Sequence, residues 1–338
     1  MARDQGAYWL SRRSFCRTLA GVLIAPDIAI AQTSKVRRIG ILEYGTPDLD
    51  TPEWRRSQAE PLEKLGWVEG QNLFVERRYA NGRPEAVQPL AEELVRTKVE
   101  IIVTAGTPGT LAAKRATTTI PIVFRTAGDP VLLGLVASLA RPGGNVTGYS
   151  SAAPEVTAKY LTVLKELLPH VQRIGVLWEG GNPYMRATRD QFEQVCRSLG
   201  LVPIIVEIGI GAADEADGAI AQLLRQRAQA LVMSGGLGLG PDKYLKVIDV
   251  ATKHRLPIST TDSEVARYGA LMTYNATYDE EHRRRAEYID RILRGAKPAD
   301  LPVQQPTKFE LVINLKTAKA LGLTIPQSLL LRADEVIQ

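Results

Sequence analysis

The side chains that could do chemistry in this chain are few, and their spacing argues against covalent or metal chemistry. The three histidines, His170, His254 and His282, have no partner at metal-ligand spacing, and solvated helix ends are the expected place for each. Neither a Gly-x-Ser-x-Gly elbow nor a Gly-x-x-x-x-Gly-Lys-Ser/Thr loop occurs. Gly235-Gly236-Leu237-Gly238-Leu239-Gly240 follows an apolar run, but its Gly-x-Gly-x-Gly spacing departs from the dinucleotide fingerprint, and the acid about 20 residues on is Asp262, near another strand end. Asp214, Glu215 and Asp217 cluster where a helix should start, a placement that the helix dipole already explains. No catalytic residue, metal or cofactor is expected.

What remains is non-covalent capture. Several apolar runs end in glycine and small hydroxyls: Tyr44-Gly45-Thr46, Ala105-Gly106-Thr107, Thr126-Ala127-Gly128-Asp129, Glu179-Gly180-Gly181-Asn182, Ser234-Gly235-Gly236 and Thr260-Thr261-Asp262-Ser263. Glycine lets a ligand approach the backbone, and free N–H groups at the next helix start attract a carboxylate. Gly106-Thr107-Pro108 is the clearest case, because proline in the first helical turn leaves donors facing outwards. Asp129 and Asp262 can pair with a ligand ammonium. Asp129 precedes Pro130 and can equally cap a helix, and Asn182 before Pro183 has the same two readings. Tyr44 and Trp178 suit either the core or stacking on a flat ligand. The candidate ligand contacts are therefore Tyr44, Gly45, Gly106, Thr107, Thr126, Asp129, Asn182, Ser234, Gly235 and Asp262.

These residues need a scaffold, and the chain writes it twice. Arg38-Ile39-Gly40-Ile41-Leu42-Glu43-Tyr44-Gly45 returns as Arg173-Ile174-Gly175-Val176-Leu177-Trp178-Glu179-Gly180. Such runs suit parallel strands buried on both faces. A helix follows each and closes at Leu65-Gly66-Trp67 or Leu199-Gly200-Leu201, with glycine just past the helix end. Strands at 72–79 and 202–208, helices at 84–97 and 214–226, and strands at 101–104 and 230–233 come next. Each half then adds a third helix and a strand, at 120–123 and 256–258. Alternating strands and helices predict parallel sheets covered on both faces, in two similar doubly wound α/β lobes. The period is too long for a solenoid. Arg141-Pro142-Gly143-Gly144-Asn145 is a turn cluster between the halves. Segments 146–150, 269–275 and 308–315 are read as crossings between the lobes. Residues 278–293 form a helix with a basic face of Arg283, Arg284, Arg285 and Arg291, offset by Glu280, Glu281, Glu287 and Asp290.

Composition fits a globular chain of two domains: 338 residues, 45% hydrophobic and 23% charged. Four arginines and two aspartates in residues 1–31 leave +3 of the formal +5 for the remainder. That is too little for a nucleic-acid partner, and no basic run is interleaved with aromatics. Ser11-Arg12-Arg13-Ser14-Phe15, a short apolar run at 19–25 and Ala29-Ile30-Ala31 predict an export signal over 1–31, of twin-arginine or general secretory type, and hence a periplasmic protein. Removing it leaves Cys196 alone, which excludes an intramolecular disulfide. Cys196 reads as a small buried hydrophobe.

The second half of each lobe carries blocks that resemble a known family. They are Asp129-Pro130-Val131; the run from Gly134 through Ala140-Arg141-Pro142-Gly143-Gly144-Asn145-Val146-Thr147-Gly148; Arg291-Ile292-Leu293-Arg294-Gly295-Ala296-Lys297-Pro298-Ala299-Asp300-Leu301-Pro302-Val303; Phe309-Glu310-Leu311-Val312-Ile313-Asn314-Leu315 continuing to Leu323; and Arg332-Ala333-Asp334-Glu335-Val336-Ile337. The chain resembles the solute-binding component of ABC transporters, in the branch that includes tryptophan- and tyrosine-type binding proteins, over residues 36–338. The resemblance implies a periplasmic binding protein-like fold of two lobes. One lobe spans 36–148 with about 274–303, and the other 149–273 with about 304–338. It also implies a small solute closed between the lobes, a membrane permease and an ATPase as partners, and a monomer. It does not identify the solute. A ligand-sensing domain for a membrane receptor and an enzyme on the same α/β frame are the alternatives, since the frame does not decide function.

Overall fold

The computed structural model describes residues 36–45, 47, 51–126, 129–150, 154–179, 181–209, 215–233 and 241–338. The expected export signal lies outside them. In chain order the elements are β1 (Arg37–Glu43), α1 (Pro52–Lys64), β2 (Leu73–Tyr79), α2 (Pro84–Arg96), β3 (Ile101–Ala105), α3 (Thr107–Ala116), β4 (Ile122–Thr126) and β5 (Val146–Ser150). They continue with α4 (Pro154–Leu167), β6 (Arg173–Glu179), α5 (Pro183–Ser198), β7 (Val202–Ile208), α6 (Ala216–Arg225), β8 (Ala230–Met233), α7 (Pro241–Lys253), β9 (Ile258–Thr260) and β10 (Met272–Asn275). The chain ends with α8 (Tyr278–Leu293), β11 (Glu310–Asn314), α9 (Leu315–Leu321), α10 (Gln327–Leu330) and β12 (Glu335–Ile337).

The duplication read from the sequence is a duplication of topology. One sheet has the order β2-β1-β3-β4-β5, and the other contains β7-β6-β8-β9-β10, the same order over again. These strands pair in parallel throughout, the doubly wound arrangement with its strand order reversing beside the first strand. The second sheet is extended by β11, antiparallel to β10, and by β12, parallel to β11.

Small details repeat with it. At the base of β1, the Arg38 N–H donates to Glu100 Oε1 at 3.2 Å; at the base of β6, the Arg173 N–H donates to Gln229 Oε1 at 3.0 Å. The helix ends match as well: Trp67 N–H reaches back to Leu62 O, and Leu201 N–H to Cys196 O, both at 2.9 Å. Gly40 and Gly175 explain why the repeated motif needs glycine in mid-strand. A Cβ on Gly40 would stand 2.8 Å from Leu94 of α2, and one on Gly175 would stand 2.9 Å from Leu223 of α6. In each lobe the second helix therefore lies directly on its first strand.

The lobes exchange helices. After β5 the chain leaves the first sheet, and α4 buries Tyr160, Leu161, Leu164 and Leu167 with Ile174 and Val176 of the second sheet. After β10 the chain returns through Ala276-Thr277, and α8 buries Ile289, Ile292 and Leu293 with Ile39, Ile101 and Val123 of the first sheet. Each such side chain contributes roughly 1.5–3 kcal/mol. Thr277 caps α8, its hydroxyl accepting the Glu280 N–H, and three acids fill the first turn. The third passage runs from Val303, buried against the first sheet, through a bridge between Gln304 and Tyr149, to β11 in the second.

Segments 146–150 and 272–275, read as crossings, pair as strands of the sheets, and the chain changes lobe after each of them. One detail differs from the sequence reading. On α8, Arg285 is 5% exposed, so only Arg283, Arg284 and Arg291 form the outer basic face. Helical spacing puts Arg285 with Glu281, Ala286 and Ile289 against the first lobe.

Gly148 is the tightest point of β5. Its φ is +153°, and an added Cβ would lie 2.1 Å from Phe124 O and 2.7 Å from Phe124 N on β4. Those are backbone atoms, so two paired strands would have to part. Gly148→Ala is expected to cost roughly 2–4 kcal/mol in urea denaturation. A midpoint equal to that of the unmodified protein would contradict the close approach.

Candidate functional site

The carboxyl ends of the two sheets face one another, which is where ligands sit in open α/β sheets. On the first lobe, β1 ends in Tyr44 and Gly45. Their carbonyls accept the N–H groups of Gly82 at 2.8 Å and Asn81 at 3.0 Å, which fixes the turn after β2 beside them. β3 runs through Gly106 into α3, and the Gly106 N–H donates to Arg125 O at 2.8 Å. No side chain caps α3. Behind its first turn, the Thr104 and Thr110 hydroxyls lie 2.8 Å apart, and Thr110 Oγ1 donates to Gly106 O at 2.9 Å, which orients the helix end. Thr107 is buried.

The second lobe presents Gly181 and Asn182 at the start of α5, where Asn182 O accepts the Arg186 N–H at 3.1 Å. The two walls meet here. The Tyr44 hydroxyl stands 3.5 Å, and Pro84 Cγ 3.8 Å, from the place a Cβ on Gly181 would take. α3 and α5 also touch across the cleft. The structure thus brings Tyr44, Gly45, Gly106, Thr107 and Asn182 to one gap.

The other candidates stand differently. Asp129 Oδ1 accepts the N–H groups of Val131 at 2.8 Å and Leu132 at 3.0 Å, so its carboxylate takes the capping alternative. Thr126 ends β4, and nothing is described of its side chain. Ser234 and Gly235, with the glycine run to Gly240, lie outside the described residues. Asp262 Oδ2 accepts the Tyr244 hydroxyl at 2.9 Å. Trp178 belongs to the core, packed against Phe192 at 5.3 Å. Cys196 is fully buried, and burial pushes its thiol up to about 12, so it is the inert hydrophobe the sequence suggested.

Sequence reasoning missed the polar cluster at the cleft end of the first lobe. Arg125 Nε on β4 lies 3.0 Å from Glu281 Oε1 on α8. Burial opposes the charge of Arg125, but Glu281 and Glu43 outweigh it and raise its pKa. Burial lifts the Glu281 carboxyl, against the pull of Arg125 and Arg285. Burial and the neighbouring Arg125 lower Arg285 to about 10. Trp54 of α1 closes the cluster, edge-on to Tyr278 at 5.4 Å and to His282 at 4.8 Å. Periodicity along α8 was the available signal, since Tyr278, His282, Arg285 and Ile289 follow one another at helical spacing.

His282 corrects the expectation that all three histidines are solvated. His170 and His254 are exposed, but His282 is 1% exposed because it faces α1 rather than water. Burial, reinforced by Arg285 and Arg125, pushes it down to about 2, so the native imidazole is neutral. Among the described residues no group of His, Cys, Asp and Glu could hold a metal.

Two lobes of duplicated topology, with strand ends apposed across a gap, define the periplasmic binding protein class. The chain belongs to the ABC transporter substrate-binding protein family, whose model matches residues 53–337. It is 28% identical over 292 residues to a tyrosine-binding protein of Clostridioides difficile, covering 86% of this chain and 82% of that one. A Streptococcus pneumoniae ABC domain in complex with L-Trp superimposes with TM-score 0.78 at 24% identity, covering 89% of this chain and 99% of that one. A ligand-free, open substrate-binding protein with adhesive properties from Clostridium difficile gives TM-score 0.61 at 26% identity, covering 90% and 99%. These relatives are binding proteins. Family membership implies a small-molecule ligand and a transporter permease and ATPase as partners.

The buried imidazole has a pH consequence. An unfolded histidine titrates near 6.5, so below that pH the unfolded chain binds a proton the native state refuses, and stability falls as pH falls. Between pH 7 and pH 5 the unmodified protein is expected to lose about 2 kcal/mol more than His282→Phe, by urea denaturation at each pH. Parallel losses in the two proteins would show that His282 is not held neutral.

Proposed function

We propose that this protein is the extracytoplasmic solute-binding component of an ABC importer, capturing an amino acid or a related small carboxylate between its lobes. The observation that carries this reading is the uncapped start of α3 at Gly106-Thr107, opposite Gly181-Asn182, with Tyr44 reaching across. A helix N-terminus without a side-chain cap attracts a carboxylate, and Tyr44 offers a flat apolar face with a polar tip. The ligands of two relatives, tyrosine and L-Trp, point the same way.

In this reading Tyr44, Gly45, Gly106, Thr107 and Thr126 contact the solute from one side, and Asn182, Ser234 and Gly235 from the other. Asp129, whose Oδ1 also caps the following turn, and Asp262, whose Oδ2 also accepts the Tyr244 hydroxyl, are the acids we assign to an ammonium group. The lobes comprise 36–148 with about 274–303, and 149–273 with about 304–338. Residues 1–31 direct export to the periplasm, and the mature protein works as a monomer.

The test is a thermal-shift series with L-tyrosine, L-tryptophan, L-phenylalanine and L-leucine, with mass spectrometry of any solute carried through purification. A ligand at 100 times its Kd stabilises the folded state by about 2.7 kcal/mol, which raises the Tm by several degrees. An unchanged Tm with all four, and a carried solute of another class, would end the amino-acid reading. It would leave membership of the family untouched.

A further inference from the structure

We propose that the cavity enclosed by α1, α8 and the first sheet is a site for a small monovalent anion of halide size, with Arg285 as its charged ligand. None of the candidate solute contacts lines this cavity, so its role is separate from that of the cleft. Ile41, Val75 and Val103 form its sheet wall, and α1 and α8 cover it with Leu62 and Ile289. Its volume is about 30 Å³. A single water needs about 10–15 Å³, so the space suits one small ion and is too small for an amino acid.

Arg285 projects into this space from α8 and is 5% exposed. A guanidinium is a donor at every N–H and accepts nothing. Among the described residues, none of the Arg285 donors finds a hydrogen bond or an ion pair. None of its nitrogens is completely covered either, so the donors open on the cavity. The nearby acids are engaged elsewhere. Glu281 stands 3.0 Å from Arg125. Glu69, on the cavity wall, accepts two bonds from Arg77, at 2.7 and 2.8 Å. With Arg55 at the exposed rim, three arginines and one acid line the cavity. Gln58 of α1 adds an amide that has no hydrogen bond to a described residue. Arg285 stays charged at neutral pH: burial and Arg125 outweigh Glu281 and Glu43, yet bring it down only to about 10. A buried charge without a counter-charge is costlier than an unmade hydrogen bond. Water in the cavity would satisfy the donors and leave the charge unmatched. A monovalent anion satisfies both.

The experiment dialyses the full chain and its Arg285→Met variant into sodium gluconate, whose anion is too large for the cavity. Thermal melting is then followed as sodium bromide replaces gluconate at constant ionic strength. Bromide at about ten times its Kd should raise the Tm of the unmodified protein by roughly 2–4 °C, along a saturating curve. Arg285→Met removes the charge and keeps an apolar chain of similar reach. It should lose the saturating rise and keep only the drift that bromide causes in any protein. In gluconate, Arg285→Met should melt at or above the temperature of the unmodified protein, because an unmatched charge has been replaced by an apolar group. Bromide scatters anomalously, so a bromide-soaked crystal of the unmodified protein should show a peak within hydrogen-bond reach of the Arg285 guanidinium. The same bromide response in both proteins would overturn the proposal. So would a crystal with water alone in the cavity. If Arg285→Met fails to fold, the crystal decides alone.

Discussion

The constraint behind this architecture is that neither lobe is covered by its own half of the chain. α4 is delivered to the second sheet by β5 of the first, and α8 to the first sheet by β10 of the second. Each exchanged helix buries a row of large apolar side chains, so withdrawing either would expose a sheet face. The halves are therefore joined by obligate packing, and the freedom left to them is rotation about the short segments where the chain passes over. Hinges of a few residues suffice for closure about a ligand. The site follows from the same constraint, because the chain changes lobe at the carboxyl ends of the sheets and brings those ends face to face.

Helix exchange also explains where the buried charge sits. α8 enters the first lobe at its cleft end, and its opening turns must fit over the ends of β1 and β4, where the chain carries Glu43 and Arg125. A buried cation without a partner would be strongly destabilising, and α8 supplies Glu281 at 3.0 Å from Arg125. It adds Arg285 as a second cation and His282 as a neutral ring against Trp54. Such a cluster is a modest source of stability, since desolvation offsets much of the Coulomb energy. Its value lies in geometry: charges that must be matched fix the rotation of α8 about its axis more narrowly than aliphatic packing would.

Much of the fold could be read in the sequence because it is carried by local signals. The repeated Arg-Ile-Gly phrase marks β1 and β6, and its glycine proves to be the seat of α2 or α6. The glycine-terminated helices, the parallel-strand runs and the span of α8 depend on neighbours within a few residues. The site was legible only as a set of strand ends. Tyr44, Gly106 and Asn182 could be nominated because ligands gather at such ends, but Asp129 had two local meanings, and only the distances to the Val131 and Leu132 N–H groups separate them. Arg125 and Glu281 are a pairing across the duplication, and no local pattern announces it. His282 and Arg285 were misread for a simpler reason. Three adjacent arginines suggest a solvated face, whereas the periodicity of α8 divides them between water and the core.

The same division accounts for how a duplicated fold becomes an asymmetric binding protein. The two lobes share strand order, strand-base hydrogen bonds and helix-end geometry, so symmetry alone would give two equivalent walls. The differences lie in the parts that face across the gap. The first lobe contributes Tyr44 just past β1; the equivalent place at the end of β6 is Glu179, and small residues, Gly181 and Asn182, follow it at the cleft. A large residue thus meets a glycine, and the walls can approach without collision. The second lobe alone is extended by β11 and β12, which occupy the edge beyond β10 where the first sheet simply ends at β5. Duplication supplies the two walls, and these departures from it make the walls unlike.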